Sequence, residues 1–130
     1  ALAEVAMREG LGLIGYSPLA AGTLTGKYGT APAPLPGSRS ASSPAMLARM
    51  LSPARLAAVQ AYAALARAHG LEPAHMALAF AAQQPFMASV LMAASTADQL
   101  SANLRAVDLR LPAELVKAIN AIHDAQPNPR

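Results

Sequence analysis

Two stretches of the chain carry residues whose types and spacing suit chemistry. The first is Gly15-Tyr16-Ser17-Pro18-Leu19-Ala20-Ala21-Gly22-Thr23-Leu24-Thr25-Gly26-Lys27-Tyr28. Its part from Gly22 to Lys27 has the glycines and lysine of a phosphate-binding P-loop. It is one residue short, however, and Tyr28 stands where magnesium binding requires Ser or Thr. Gly15 to Leu19 has the outline of a nucleophile elbow, but Leu19 replaces the second glycine, and Pro18 removes the N–H that would complete an oxyanion hole. Neither NTP hydrolysis nor serine hydrolysis fits. The second stretch is Val90-Leu91-Met92-Ala93-Ala94-Ser95-Thr96-Ala97-Asp98-Gln99-Leu100-Ser101-Ala102-Asn103-Leu104. Within it, Thr96 and Gln99 have capping-box spacing, so the plainest role of Ser95, Thr96 and Gln99 is to start a helix. His69, His75 and His123 lack zinc-ligand spacing, and packing or surface roles suit them better than a metal site.

The elements that must position these stretches follow from periodicity. Leu2, Val5, Ala6 and Glu9 recur at helical spacing, Glu4 and Arg8 pair at i,i+4, and Gly10 is placed to end the helix. Leu11 to Tyr16 suits a short parallel strand buried on both faces, stopped by Pro18. Gly22 to Pro53 is rich in Gly, Pro, Ser and Thr and predicts a long excursion loop, with a short apolar segment from Met46 to Leu51. Ser52-Pro53 then caps a helix carrying Leu56, Val59, Ala63 and Ala66 on one face and closed by Gly70. Pro73 opens a helix to Gln84, with Met76, Ala79, Phe80 and Gln83 on one side, and Pro85 breaks it. Phe86 to Ala93 is a second buried strand. Leu100, Leu104 and Val107 mark the next amphipathic helix, and a last one starts at Pro112 with Leu115, Ile119 and Ile122.

This order implies parallel strands joined by helical crossovers. Two parallel strands leave both sheet edges unpaired and cannot close an α/β layer, which is the expectation for part of a larger α/β architecture. A start at Ala1 without methionine agrees with that expectation. Active sites of α/β proteins gather at the carboxyl ends of strands, so Tyr16 to Gly22 and Ala93 to Asn103 are the places to look.

Both stretches resemble the aldo-keto reductase family. The first matches its pattern of Tyr or Trp, Ser-Pro-Leu, a glycine-containing loop and Gly-Lys-Tyr; the second matches its final strand and helix entry. The resemblance extends to Asp108-Leu109-Arg110-Leu111 and to Pro127-Asn128-Pro129, and it is closest to the branch that includes potassium-channel β-subunits. It implies an α/β fold, a partial (β/α)8 TIM barrel in which residues 1–130 supply the last two strands with their helices and the C-terminal helix. It also implies an NADP(H)-binding portion of an oxidoreductase that reduces aldehydes or ketones by hydride transfer from NADPH.

Carried over position by position, the resemblance sets the Tyr16 ring against the nicotinamide; its plain alternative is an aromatic packed in a core. The stretch from Ser17 to Gly22, with Pro18, Leu19 and Ala20 in it, would line the pyrophosphate, where small residues let backbone amides approach phosphate. Lys27 and Arg39 would meet the adenosine phosphate end and favour NADP(H) over NAD(H). Ser95 and Gln99 would contact the 2′-phosphate from a helix N-terminus, and Asn103 would hydrogen-bond the adenine. Ala93 stands where the family usually has glycine, which loosens the approach of backbone to cofactor, and Ala102 replaces a common glutamate at the adenine edge. The family's catalytic tetrad of Asp, Tyr, Lys and His lies on earlier strands and has no counterpart here, so no catalytic residue is assigned. Tyr28 and Tyr62 show no partner in the sequence and are not substitutes for the tetrad tyrosine.

Composition agrees with this reading. Hydrophobic residues make up 54%, charged residues 13% and aromatics 4%, which favours small-residue helix packing over disorder. Ten Lys and Arg against seven Asp and Glu give a net charge of +3. They are scattered rather than clustered with aromatics, which argues against nucleic acid while suiting a small anion. Cysteine is absent, as fits a reducing, cytoplasmic setting. The long uncharged run between Glu72 and Asp98 is split by Gln83-Gln84-Pro85, so it reads as two buried elements rather than a membrane span. The expected partner is a small carbonyl substrate of the complete enzyme. The rival reading is a non-catalytic incomplete barrel that binds NADP(H) or another protein chain.

Overall fold

A computed structural model describes residues 2–29, 36–37, 41, 43, 45 and 50–129. Arg39, and most of the Met46 to Leu51 segment, lie outside the described residues. Helix α1 spans Leu2–Arg8, strand β1 Leu13–Tyr16, and a kinked stretch of 3₁₀ helix Ala20–Thr25. Helix α2 follows at Pro53–Ala68, α3 at Pro73–Ala82, strand β2 at Met87–Leu91, α4 at Ala97–Leu104 and α5 at Ala113–Ala125. The expected order of elements holds, with one addition: the excursion after β1 begins with 3₁₀ structure rather than open loop.

Local chemistry sets the boundaries. Ser52 Oγ accepts the Arg55 N–H at 3.3 Å, and Pro53 occupies the first turn of α2, where a missing N–H costs nothing. Gly10 and Gly70 sit at φ 64° and 68°. Beyond them, Leu11 N–H reaches back to Ala6 carbonyl at 2.8 Å and Leu71 N–H to Ala66 carbonyl at 2.9 Å, the six-to-one closure of a helix end.

The strands pair in parallel, Ile14 opposite Ser89 and Tyr16 opposite Leu91, with an irregularity between Leu13 and Ile14. They approach closely at the start. A Cβ placed on Gly12 would stand 2.6 Å from the Ala88 Cβ, so this position requires glycine. The expected burial fails for both strands: in β1 Ile14 is 65% and Tyr16 82% exposed, and in β2 Ala88, Ser89 and Leu91 are exposed. Burial on both faces needs layers on both sides of a sheet, and two strands flanked by these helices do not provide them. The same holds for Leu2 and Val5 on α1. Leu100 and Leu104 are likewise exposed, and Val107 lies beyond the end of α4, which buries no residue.

The core lies among α2, α3 and α5. Ala66, Met76, Ala79, Leu111, Leu115 and Ile119 form it, with Tyr62, Leu65 and Phe80 packed around them. Ala58 is buried on α2 where the periodicity favoured Val59, which is half-buried. Gln83 Oε1 accepts the Leu111 N–H at 3.0 Å and ties the end of α3 to the approach of α5. Partial burial pushes the Tyr62 phenol above its usual value of 10.0. Tyr62 is therefore a packing residue.

Leu115 is the largest fully buried side chain. Leu115→Ala leaves a cavity at the meeting of three helices and is expected to cost about 2–5 kcal/mol. A urea midpoint lowered accordingly, with an unchanged m-value, checks this.

Candidate functional site

The main chain leaves β1 in an unusual conformation. Ser17, Ala20 and Ala21 have φ of 54°, 46° and 54°, followed by Gly22 at 90°. Left-handed backbone costs a residue bearing a Cβ roughly 1–2 kcal/mol, so three such residues within five positions persist only when neighbouring bonds hold them. Here those bonds are present. The Ala20 N–H donates to Ser17 carbonyl at 2.9 Å and the Gly22 N–H to Leu19 carbonyl at 2.8 Å. Thr23 Oγ1 donates to Ala20 carbonyl at 2.9 Å, and Thr25 Oγ1 to Gly22 carbonyl at 2.8 Å. Because the Ala20 and Gly22 amides are engaged inside the turn and Pro18 has no N–H, the expectation that the whole of Ser17 to Gly22 offers its amides to a ligand narrows to Ser17, Leu19 and Ala21.

Lys27 folds back over this turn. A Cβ built on Gly22 would lie 3.0 Å from Lys27 Nζ, so glycine leaves room for the ammonium as well as for the backbone angle. The same Nζ stands 5.2 Å from the centroid of the Tyr28 ring, within cation–π range. Tyr28 therefore has partners that the sequence did not reveal: the Lys27 cation and a buried cluster with Leu51 and Leu56.

At the end of β2 the chain turns into α4. Thr96 Oγ1 accepts the Gln99 N–H at 3.2 Å, as the capping-box spacing predicts. The reciprocal bond differs, because Gln99 Oε1 accepts from the Ser95 N–H at 3.0 Å rather than from Thr96. A backbone N–H only donates, so the side-chain atom it meets is the carbonyl oxygen, and the Gln99 NH₂ is the end that can serve a ligand.

The two segments meet around a cleft of about 710 Å³, within the range of roughly 300–1,000 Å³ usual for small-molecule sites. Tyr16, Ser17, Pro18, Leu19, Gly22 and Lys27 line it from the first segment, and Ala93, Ser95, Gln99 and Asn103 from the second. Ala20, expected among them, is not in the wall; its carbonyl is turned to Thr23. Tyr16 is exposed at the strand end and borders the cleft. Sequence reasoning missed Thr25, Pro36, Gly37, Leu91 and Met92 in the lining. Leu91 and Met92 directly precede the expected Ala93, and Thr25 lies two residues before Lys27, so proximity was the available signal.

Among the described residues the wall contains no acidic side chain, and the Tyr16 phenol and Lys27 ammonium are its ionisable groups. Such a cleft can bind and orient an anion beside an aromatic ring. Its described residues include no carboxylate or imidazole for acid–base work. Among the described residues no group of His, Cys, Asp or Glu is placed to hold a metal, and no helix is long and apolar enough to cross a membrane.

The cap bonds give a local test. Thr96→Ala removes the acceptor of the Gln99 amide and should cost α4 about 1 kcal/mol, read as faster hydrogen exchange at that amide. Ser95→Ala keeps its engaged backbone N–H and should leave the exchange rate unchanged.

Comparison with known proteins accounts for the arrangement. The family model described as "Aldo/keto reductase family" matches residues 1–124. Protein tas of Escherichia coli (strain K12) is 44% identical over 130 residues, covering 98% of this chain and 36% of that protein. A probable voltage-gated potassium channel subunit beta of Oryza sativa subsp. japonica is 34% identical over 121 residues, covering 91% of this chain and 37% of that protein. A putative subunit of the same name from Schizosaccharomyces pombe is 31% identical over 125 residues, covering 91% and 36%. The chain thus spans little more than a third of the length of these relatives. With the family pattern carried on both walls of the cleft and a match along almost its whole length, the chain belongs to the aldo/keto reductase family.

Proposed function

We propose that residues 1–130 are the NADP(H)-binding, C-terminal portion of a reductase that converts aldehydes or ketones to alcohols. In this reading β1 and β2 are the last two strands of a (β/α)8 barrel, and the catalytic tetrad is contributed by strands preceding Ala1. A cytoplasmic setting and a small carbonyl substrate belong to the same reading. The observation that carries it is the cleft itself, in which Lys27 and the left-handed turn after β1 face the capped start of α4 across the carboxyl ends of two parallel strands. The fit to a dinucleotide is chemical: among the described residues the wall offers the Lys27 cation and neutral polar groups, and no carboxylate.

When bound, NADPH supplies the hydride. The task of this chain is to hold it. The exposed Tyr16 ring offers a flat apolar face for the nicotinamide, which fixes the side from which transfer occurs. Ser17, Leu19 and Ala21 are the turn residues whose amides remain for the pyrophosphate, with Pro18 and Gly22 giving it close approach. Lys27 and Arg39 serve the adenosine phosphate end. Ser95 and the Gln99 NH₂ meet the 2′-phosphate, and Asn103 the adenine.

The exposed apolar side chains of Ile14, Leu91 and Leu104 favour a second reading as well, a non-catalytic incomplete barrel that takes NADP(H) or another chain on that surface. Intact NADPH binding without carbonyl turnover in the complete gene product would support that second reading.

Titration of NADPH fluorescence tests the proposal. Lys27→Ala and Gln99→Ala should each weaken binding about 10-fold or more, since each removes a hydrogen bond to a charged group. Ser95→Ala should weaken it less. Binding indifferent to all three substitutions overturns the proposed site.

A further inference from the structure

Thr25 is given no part in holding the cofactor above, yet it sits in the wall of the cleft between Gly22 and Lys27. Its hydroxyl has one proton to give and lone pairs to receive. It donates to the Gly22 carbonyl at 2.8 Å and accepts the Lys27 N–H at 3.3 Å. One side chain thereby ties together the backbone at Gly22 and the backbone of Lys27, and those are the two ends across which the Lys27 ammonium folds back. Thr23 provides an internal contrast. It makes the equivalent bond to the Ala20 carbonyl at 2.9 Å, but it is only 5% exposed and does not line the cleft, and the Lys27 N–H goes to Thr25 instead.

We propose that Thr25 is a positioning residue that sets the Lys27 ammonium over Gly22 at the wall of the cleft and so tunes the preference for a phosphorylated dinucleotide. A lysine has a long, rotamer-rich stem, and an ammonium free to sample solvent discriminates poorly between ligands that differ by one phosphate. Anchoring its main chain to the turn, with the Tyr28 ring 5.2 Å from the ammonium, restricts that sampling before a ligand arrives. The inference rests on the NADP(H) reading of the cleft.

The test compares NADPH and NADH affinities by fluorescence titration of the complete gene product carrying Thr25→Val, Thr25→Ser, Lys27→Ala or the double substitution Thr25→Val with Lys27→Ala. Thr25→Val keeps the side-chain shape and removes the hydroxyl. It should weaken NADPH binding about three- to tenfold, the range for loss of one orienting hydrogen bond, and change NADH binding less. Thr25→Ser should restore the NADPH affinity. In the Lys27→Ala background, Thr25→Val should add no further loss, because its effect passes through the lysine. An equal loss in both backgrounds, or for both nucleotides, overturns the positioning role and makes Thr25 a support of the turn alone. Lys27→Ala weakening NADPH while Thr25→Val does not overturns this inference and leaves the cofactor reading intact. NADPH affinity untouched by Lys27→Ala instead sinks the assigned role of Lys27, and this inference with it. A thermal melt of each variant identifies a folding defect, and a destabilised Thr25→Val whose affinity Thr25→Ser fails to recover also overturns the role.

Discussion

Parallel pairing of β1 with β2 is the constraint on which the site depends. Parallel strands place their carboxyl ends on the same side, so the residues after Tyr16 and those after Leu91 emerge next to each other despite their distance in sequence. An antiparallel pairing would send them to opposite ends and leave no shared cleft. Everything chemically distinctive then follows from how each strand end is finished. After β1 the chain coils through left-handed positions held by carbonyl, amide and threonine hydroxyl bonds, and after β2 it enters a helix whose first turn is capped by Thr96.

The support for this pairing is uneven. On one side α2, α3 and α5 share a core of Ala66, Met76, Ala79, Leu111, Leu115 and Ile119, and the 3₁₀ stretch is pinned against it where Gly26 lies beside Arg67 and Ala63. On the other side Ile14, Leu91, Leu100 and Leu104 are open. Burying a side chain of this size gains roughly 1.5–3 kcal/mol, so such an apolar surface is a large unsatisfied stabilisation. The chain spans little more than a third of the length of its relatives, and in the proposed partial-barrel reading this open surface is where the other strands and helices of a barrel would pack.

Much of this was readable from residues that act locally. Ser52-Pro53, Gly10, Gly70, Pro73 and Thr96 set element boundaries through caps and backbone angles that depend on near neighbours alone, and the structure follows them. The family pattern brought most of the expected lining residues to one cleft. What was hidden depends on tertiary context. Alanine gives no hint of a left-handed backbone, so Ala20 and Ala21 read as ordinary turn residues, and Ala20 faces away from the cleft. Thr23 and Thr25 make bonds to carbonyls three residues back that become meaningful only once those angles are known. Tyr28 is buried by Leu51 and Leu56, contributed from across the excursion loop. The expected burial of β1 on both faces assumed neighbours that these residues do not supply.

The central claim is that Tyr16 to Lys27 and Ala93 to Asn103 form one cofactor site. Hydrogen exchange of the complete gene product with and without NADPH addresses it directly, since amides that meet or lie beneath a bound ligand slow their exchange. The account predicts added protection in both segments together, with the α2 and α5 core unchanged. Protection confined to one segment, or none at saturating NADPH, would contradict it.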